Sequence, residues 1–100
     1  MGFNQAKKSI LIALKNGEYQ HEVRDDYITK NLLQTGEISA QDVINIINAS
    51  CGTDHNSSSH HQVSKIDVHV IRKNGWYIKF YFIDDDDDDG ENAWFISVHQ

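Results

Sequence analysis

Five side chains in the last third of the sequence, Arg72, Tyr77, Lys79, Tyr81 and His99, are of the types needed to cleave RNA without a metal ion. That reaction must take a proton from a 2′-hydroxyl, stabilise a pentacoordinate phosphate and give a proton to a 5′-oxygen. Imidazole is the side chain that changes charge near neutral pH, so His99 is the candidate base or acid. Lys79 and Arg72 would stabilise the phosphate charge, and Tyr77 would orient the phosphate or stack on a base. Tyr81 is a further substrate contact. The polar stretch "HNSSSHH" borders this region and adds His60 and His61 as possible catalytic groups and His55 as a substrate contact. The same residue types are ordinary on the solvent face of an antiparallel sheet, so a plain polar face is the competing reading.

A hairpin must position this set. In "KIDVHVIRKNGWYIKFYFI", Asn74 and Gly75 suit the two positive φ angles of a type I′ turn between β-branched and aromatic runs. With those two as the loop, Lys73 lies opposite Trp76, Arg72 opposite Tyr77, Ile71 opposite Ile78, Val70 opposite Lys79 and His69 opposite Phe80. One face then carries Ile71, Trp76, Ile78, Phe80 and Phe82, with Asp67 and His69. The other carries Arg72, Tyr77, Lys79 and Tyr81, with Val68 and Val70. A third strand at 93–99 alternates Trp94, Ile96 and Val98 with Phe95, Ser97 and His99. Matching apolar to apolar places His99 beside Tyr77 and Lys79 and turns Ile96 toward the helices. His69 falls on the apolar face and reads as a core histidine bonded to a neighbour.

Three helices precede the strands. Asn4 is the expected cap of a helix with Ala6, Ile10, Ala13 and Leu14 on one stripe, stopped by Asn16 and Gly17. Asp25 or Asp26 would cap a shorter helix carrying Ile28, Leu32 and Leu33 and ending before Gly36. Ser39, with Asp42 three residues on, caps a third that carries Val43, Ile46 and Ile47 and stops near Gly52. His21 falls in a polar connection, and 53–62 reads as a polar loop. The expected architecture is a single α+β domain over residues 1–100, with three N-terminal helices packed on a small antiparallel sheet of three or more strands.

Metal chemistry fits less well. His55, His60 and His61 lack a regular ligand spacing, and the lone Cys51 supports neither a zinc site nor an internal disulfide. Asp85, Asp87, Asp89 and Gly90 match positions 1, 3, 5 and 6 of an EF-hand loop, but Ile96 stands where a bidentate glutamate is required. No metal and no cofactor is expected. The aspartates at 84–89 read as a hydrated hairpin connection kept extended by repulsion. Formal net charge is −6, yet that run and Glu91 hold seven of fifteen acids, leaving nine Lys and Arg against eight acids elsewhere. An anionic partner such as RNA is therefore compatible with the body of the chain, and DNA is not expected. The apolar runs at 10–14 and 76–83 are far short of the roughly 20 residues that span a bilayer, and no signal peptide opens the chain. A soluble protein of the cytoplasm is expected, with no membrane partner.

The segments "GEISAQDVINII", "KIDVHVIRKNGWYIKFYFI" and "WFISVHQ" resemble the motility quorum-sensing regulator toxins, ribonucleases with a RelE-like fold. The family's "DVY" corresponds to Asp67, Val68 and His69, its "YLK" to Tyr77, Ile78 and Lys79, and its terminal "SFK" to Ser97, Val98 and His99. The resemblance implies a RelE/barnase-like fold and a toxin-type, metal-independent endoribonuclease of a toxin-antitoxin or contact-dependent inhibition system. It also implies a cognate antitoxin or immunity protein, and Tyr77 as the active-site tyrosine. His99 stands where the family has a terminal lysine. The lysine that follows the family's third helix has no counterpart, and a histidine from 55, 60 or 61 would replace it. The acidic run supports a second reading, an immunity protein or antitoxin whose aspartates occupy the basic site of a cognate nuclease toxin.

Overall fold

A computed structural model describes residues 2–22, 31–59, 66–84 and 91–100. Helix α1 spans Phe3–Asn16 and buries Ala6, Ile10, Ala13 and Leu14, the stripe read from the sequence. Its cap is Gly2, not Asn4: Phe3 packs against His55, with ring centroids 5.4 Å apart, and so belongs to the first turn. Gly17, at φ 70°, ends the helix in the left-handed conformation that glycine adopts without a Cβ penalty. Helix α2, Leu32–Thr35, is capped by Asn31, whose side chain accepts the Gln34 N–H. The expected caps Asp25 and Asp26 lie outside the described residues. Helix α3, Ala40–Ala49, starts at Ser39, whose hydroxyl accepts the Asp42 N–H at 3.1 Å. Lys7 of α1 donates to the carbonyls of Asn48 (3.0 Å) and Ser50 (2.9 Å), which ties α1 to the unpaired carbonyl end of α3.

The sheet has five strands among the described residues: β1 (Tyr19–His21), β2 (His55–Ser59), β3 (Asp67–Lys73), β4 (Trp76–Asp84) and β5 (Glu91–His99). Their order is β1-β5-β4-β3-β2, with β1 parallel to β5 and the remaining pairs antiparallel. The class is α+β, but the sheet is mixed where an antiparallel one was expected. Two strands lie where the sequence suggested polar connections. β1 has three residues, too few for alternation to register. β2 reads HNSSS, and an edge strand in which only His55 is partly buried needs no apolar residue to pair through its backbone. The β3–β4 turn has Asn74 at φ 55° and Gly75 at φ 81°, and it sets the predicted register from Lys73 opposite Trp76 to His69 opposite Phe80.

The three helices contribute to one apolar core with Ile71, Ile78, Phe80, Ala93, Phe95 and Val98 of the sheet. A second cluster of Val68, Tyr81 and Ile96, flanked by Ile66 and Trp94, occupies the opposite face. This division corrects the expected facing of β5. The β4–β5 register shifts between Lys79 and Phe80, where Lys79 pairs with Ser97 and Phe80 with Phe95, leaving Ile96 as an extra residue. That β-bulge reverses the alternation, so Phe95 enters the main core while Trp94 and Ile96 go to the open face. No helix among the described residues is long and apolar enough to cross a membrane.

Candidate active site on the open sheet face

Three central strands place Arg72, Tyr77 and His99 in one transverse row, since Arg72 pairs with Tyr77 on β4 and Tyr77 with His99 on β5. The row is in contact throughout. The Arg72 guanidinium carbon lies 5.3 Å from the centroid of the Tyr77 ring, within cation–π range. The His99 imidazole stacks on the same ring at 5.0 Å with 23° between the planes. β3 and β5 flank β4, so the two partners reach Tyr77 from the strands on either side of it. Tyr77 is half-exposed, and both its ring contacts are to residues of the same row. The next row joins Lys79 to Val70 and Ser97, which sets the ammonium one step along the same face.

His99 is held by the residue that follows it. Its Nδ1 lies 3.1 Å from the Gln100 main-chain oxygen, which can only accept, so Nδ1 carries the proton. With its proton on Nδ1, the imidazole in its base form has its lone pair on Nε2. Arg72 is exposed and Tyr77, Lys79 and His99 are half-exposed, so all four are open to a ligand.

Tyr81 is elsewhere in role if not in face. At 5% exposure it is buried in the second cluster, its ring parallel to Trp94 within 5° at 6.3 Å. His55 is on the opposite side of the sheet. Its Nε2 lies 2.9 Å from Nδ1 of His69, and the two rings stack at 5.2 Å, with His69 in turn stacked on Phe80. His69 is thus the bonded core histidine foreseen, but its partner is His55. Burial, then the neighbouring His55, lowers the His69 pKa from 6.5 to about 4, with Asp67 opposing. His60 and His61, like the aspartates at 85–89, lie outside the described residues.

The segment expected to be a polar connection at His21 is strand β1 and holds a second fixed imidazole. Asn31, 1% exposed, donates from Nδ2 to His21 Nδ1 at 2.9 Å, while its Oδ1 caps α2. The amide donor makes Nδ1 the acceptor, so His21 carries its proton on Nε2, the tautomer opposite to that of His99. Burial lowers the His21 pKa. The signal for this pair was not in local sequence, because residues 21 and 31 meet only through the packing of β1 and α2 beside β5. Among the described residues no three of His, Cys, Asp and Glu are grouped as metal ligands.

Surface hollows among the described residues include two of note. One of about 750 Å³ lies between residues 2–5 and 50–52, on the helix side and away from the row. The other, about 290 Å³, is formed by residues 72–77 around the β3–β4 turn and so adjoins Arg72 and Tyr77. Lys73, at its rim, is 3.9 Å from the Asp54 carboxylate. That carboxylate is held below the usual range chiefly by the Cys51 backbone N–H and then by the Cys51 thiol, with Lys73 contributing least. No protein-family model matches the chain, and no curated protein or solved structure matches it either.

Proposed function

We propose that the open sheet face is the site of a toxin-type, metal-independent endoribonuclease that acts in the cytoplasm and is restrained by a cognate antitoxin or immunity protein. The observation that carries this reading is the row Arg72–Tyr77–His99 with Lys79 beside it. It gathers an imidazole with a free Nε2, a phenol hydroxyl and two cations on one accessible surface. His99 Nε2 takes the 2′-hydroxyl proton as the 2′-oxygen attacks phosphorus. Arg72 and Lys79 stabilise the charge that grows on the phosphate oxygens. The bond from phosphorus to the 5′-oxygen breaks, and that oxygen takes a proton from the Tyr77 hydroxyl, leaving a 2′,3′-cyclic phosphate and a 5′-hydroxyl. The resemblance of the C-terminal strands to the motility quorum-sensing regulator toxins supports the same assignment, and a RelE-like fold is the finer form of the α+β class it implies.

The test is cleavage of RNA by purified protein in the presence of EDTA. His99→Ala should lower the rate by roughly 10² to 10⁴ while melting stays nearly unchanged, since the side chain is half-exposed and outside both apolar clusters. Lys79→Ala should also slow cleavage. Activity lost in EDTA overturns the metal-independent mechanism. No cleavage at all, with tight binding to a basic nuclease that weakens when the aspartates are neutralised, would favour the inhibitor reading.

A further inference from the structure

We infer that Trp94 is the base-stacking platform of the open sheet face, where it seats one unpaired RNA base next to the phosphate held by Arg72 and Lys79. This rests on the RNA reading of that face. Among the described residues three Tyr and Trp side chains share it, Tyr77 and Tyr81 on β4 and Trp94 on β5. The Tyr77 ring is in contact with Arg72 and His99, and Tyr81 is only 5% exposed. Trp94 is half-exposed, so its indole is the aromatic surface outside the row that a base can reach. Trp76 is turned the other way, against the main core.

The strand register sets its position. Tyr77, Lys79 and Tyr81 alternate along β4 on one face, each about 7 Å from the next, and Trp94 lies opposite Tyr81. The Lys79–Ser97 row therefore stands between the Tyr77–His99 row and the indole, where the phosphodiester joining two nucleotides would pass. The indole is also fixed before a ligand arrives. It lies parallel to the buried Tyr81 ring, within 5° at 6.3 Å, and packs against the cluster of Val68, Tyr81 and Ile96. A fixed indole is a stacking surface that any base can use at little cost in ordering. The next row, Ile83 opposite Asn92, adds an apolar side chain at 36% exposure and an exposed amide that can donate to and accept from a base edge. The strip ends at the pair of Asp84 and Glu91, whose charges repel a polyanion, so the face takes a short unpaired stretch and not a long strand. Unpaired RNA is required because the bases of a duplex are stacked on one another.

The probes are a 2′-O-methyl RNA trinucleotide, whose blocked 2′-oxygen cannot attack phosphorus, and its abasic counterpart. Binding is read by the indole N–H signals of the unaltered protein, assigned with Trp94→Phe, and Trp76 on the helix side is the internal reference. The trinucleotide should shift the Trp94 signal saturably, and the abasic chain should not. Trp94→Ala should weaken binding about tenfold, while Trp94→Phe, which keeps a ring in the packing, should retain most of it. A Trp94 signal that the trinucleotide leaves in place, or that the abasic chain moves equally, overturns the platform. The two readings fail separately. Cleavage of RNA with no Trp94 response removes the platform and leaves the ribonuclease, whereas a Trp94 response without cleavage keeps the platform as a nucleic-acid surface and removes the ribonuclease.

Discussion

Acid should loosen this protein through the His55–His69 pair before its carboxylates are exhausted. His69 is 1% exposed, stacked between Phe80 and His55, and shares one proton with His55 Nε2 across 2.9 Å. A second proton would place two N–H groups face to face and leave a charge in an apolar slot. The His69 pKa is accordingly lowered to about 4, from 6.5 in an exposed chain, mainly by burial and next by His55; Asp67 opposes this and the chain's amino terminus adds to it slightly. His55 is lowered in the same direction by burial. Between those two values the unfolded chain binds the proton and the folded chain does not. The stabilisation is therefore whole above about pH 6.5, falls as pH drops through the window, and is gone below about pH 4. Integrated over the window, His69 accounts for about 3 kcal/mol, a large share of the stability of an ordinary small domain. His69→Phe keeps a flat ring in the stack and removes the proton site. Urea unfolding at pH 7 and pH 4 should show the parent losing about 3 kcal/mol more than this variant. Parallel losses in the two proteins would refute the reasoning, because the carboxylates common to both would then explain the whole acid effect.

Two further expectations follow from single groups. Asn31→Asp keeps the cap on α2 but turns a donor toward His21 into an acceptor, so His21 should titrate at higher pH than in the parent by NMR; an unchanged titration would mean the Asn31 contact does not set its protonation. Replacing the aspartates at 84–89 with Gly and Ser should leave the melting temperature nearly unchanged, and calcium should not raise it in the parent, since the hydrated connection expected from the sequence would contribute little; a large drop or a calcium-dependent rise would reveal a structural ion.

What the sequence disclosed depended on how local the cause was. The β3–β4 hairpin was legible because Asn74 and Gly75 admit few turn geometries, and one turn then fixes every cross-strand pair down to His69 and Phe80. The stripe of α1 and the Ser39 cap of α3 were legible for the same reason: each is decided within a few residues. β1 was not, because it is an edge strand whose partner lies far along the chain, Phe95 for His21, and β2 was not, because it is an edge strand without an apolar residue. The polar composition of β2 pointed to a loop, and only the neighbouring strand makes it part of the sheet. His55 was read with it: a loop histidine is free to reach the open face, whereas one paired opposite Ile71 sits on the core side.

The bulge at Ile96 shows how a local irregularity can decide whether a site exists at all. Phe95 is fully buried in the main core, and strict alternation from it would turn Ser97 and His99 toward the helices and Val98 toward solvent. Alternation anchored on Val98 instead puts His99 on the open face but expels Phe95. The strand meets both demands only by inserting one residue between them, and Ile96 is that residue, absorbed by the apolar cluster with Val68 and Tyr81. The consecutive apolar residues Trp94, Phe95 and Ile96 are the trace of this in the sequence, since no regular half-exposed strand needs three in a row. The stack of His99 on Tyr77, and with it the row that reaches Arg72, thus depends on a break in the pattern that made the rest of the sheet readable.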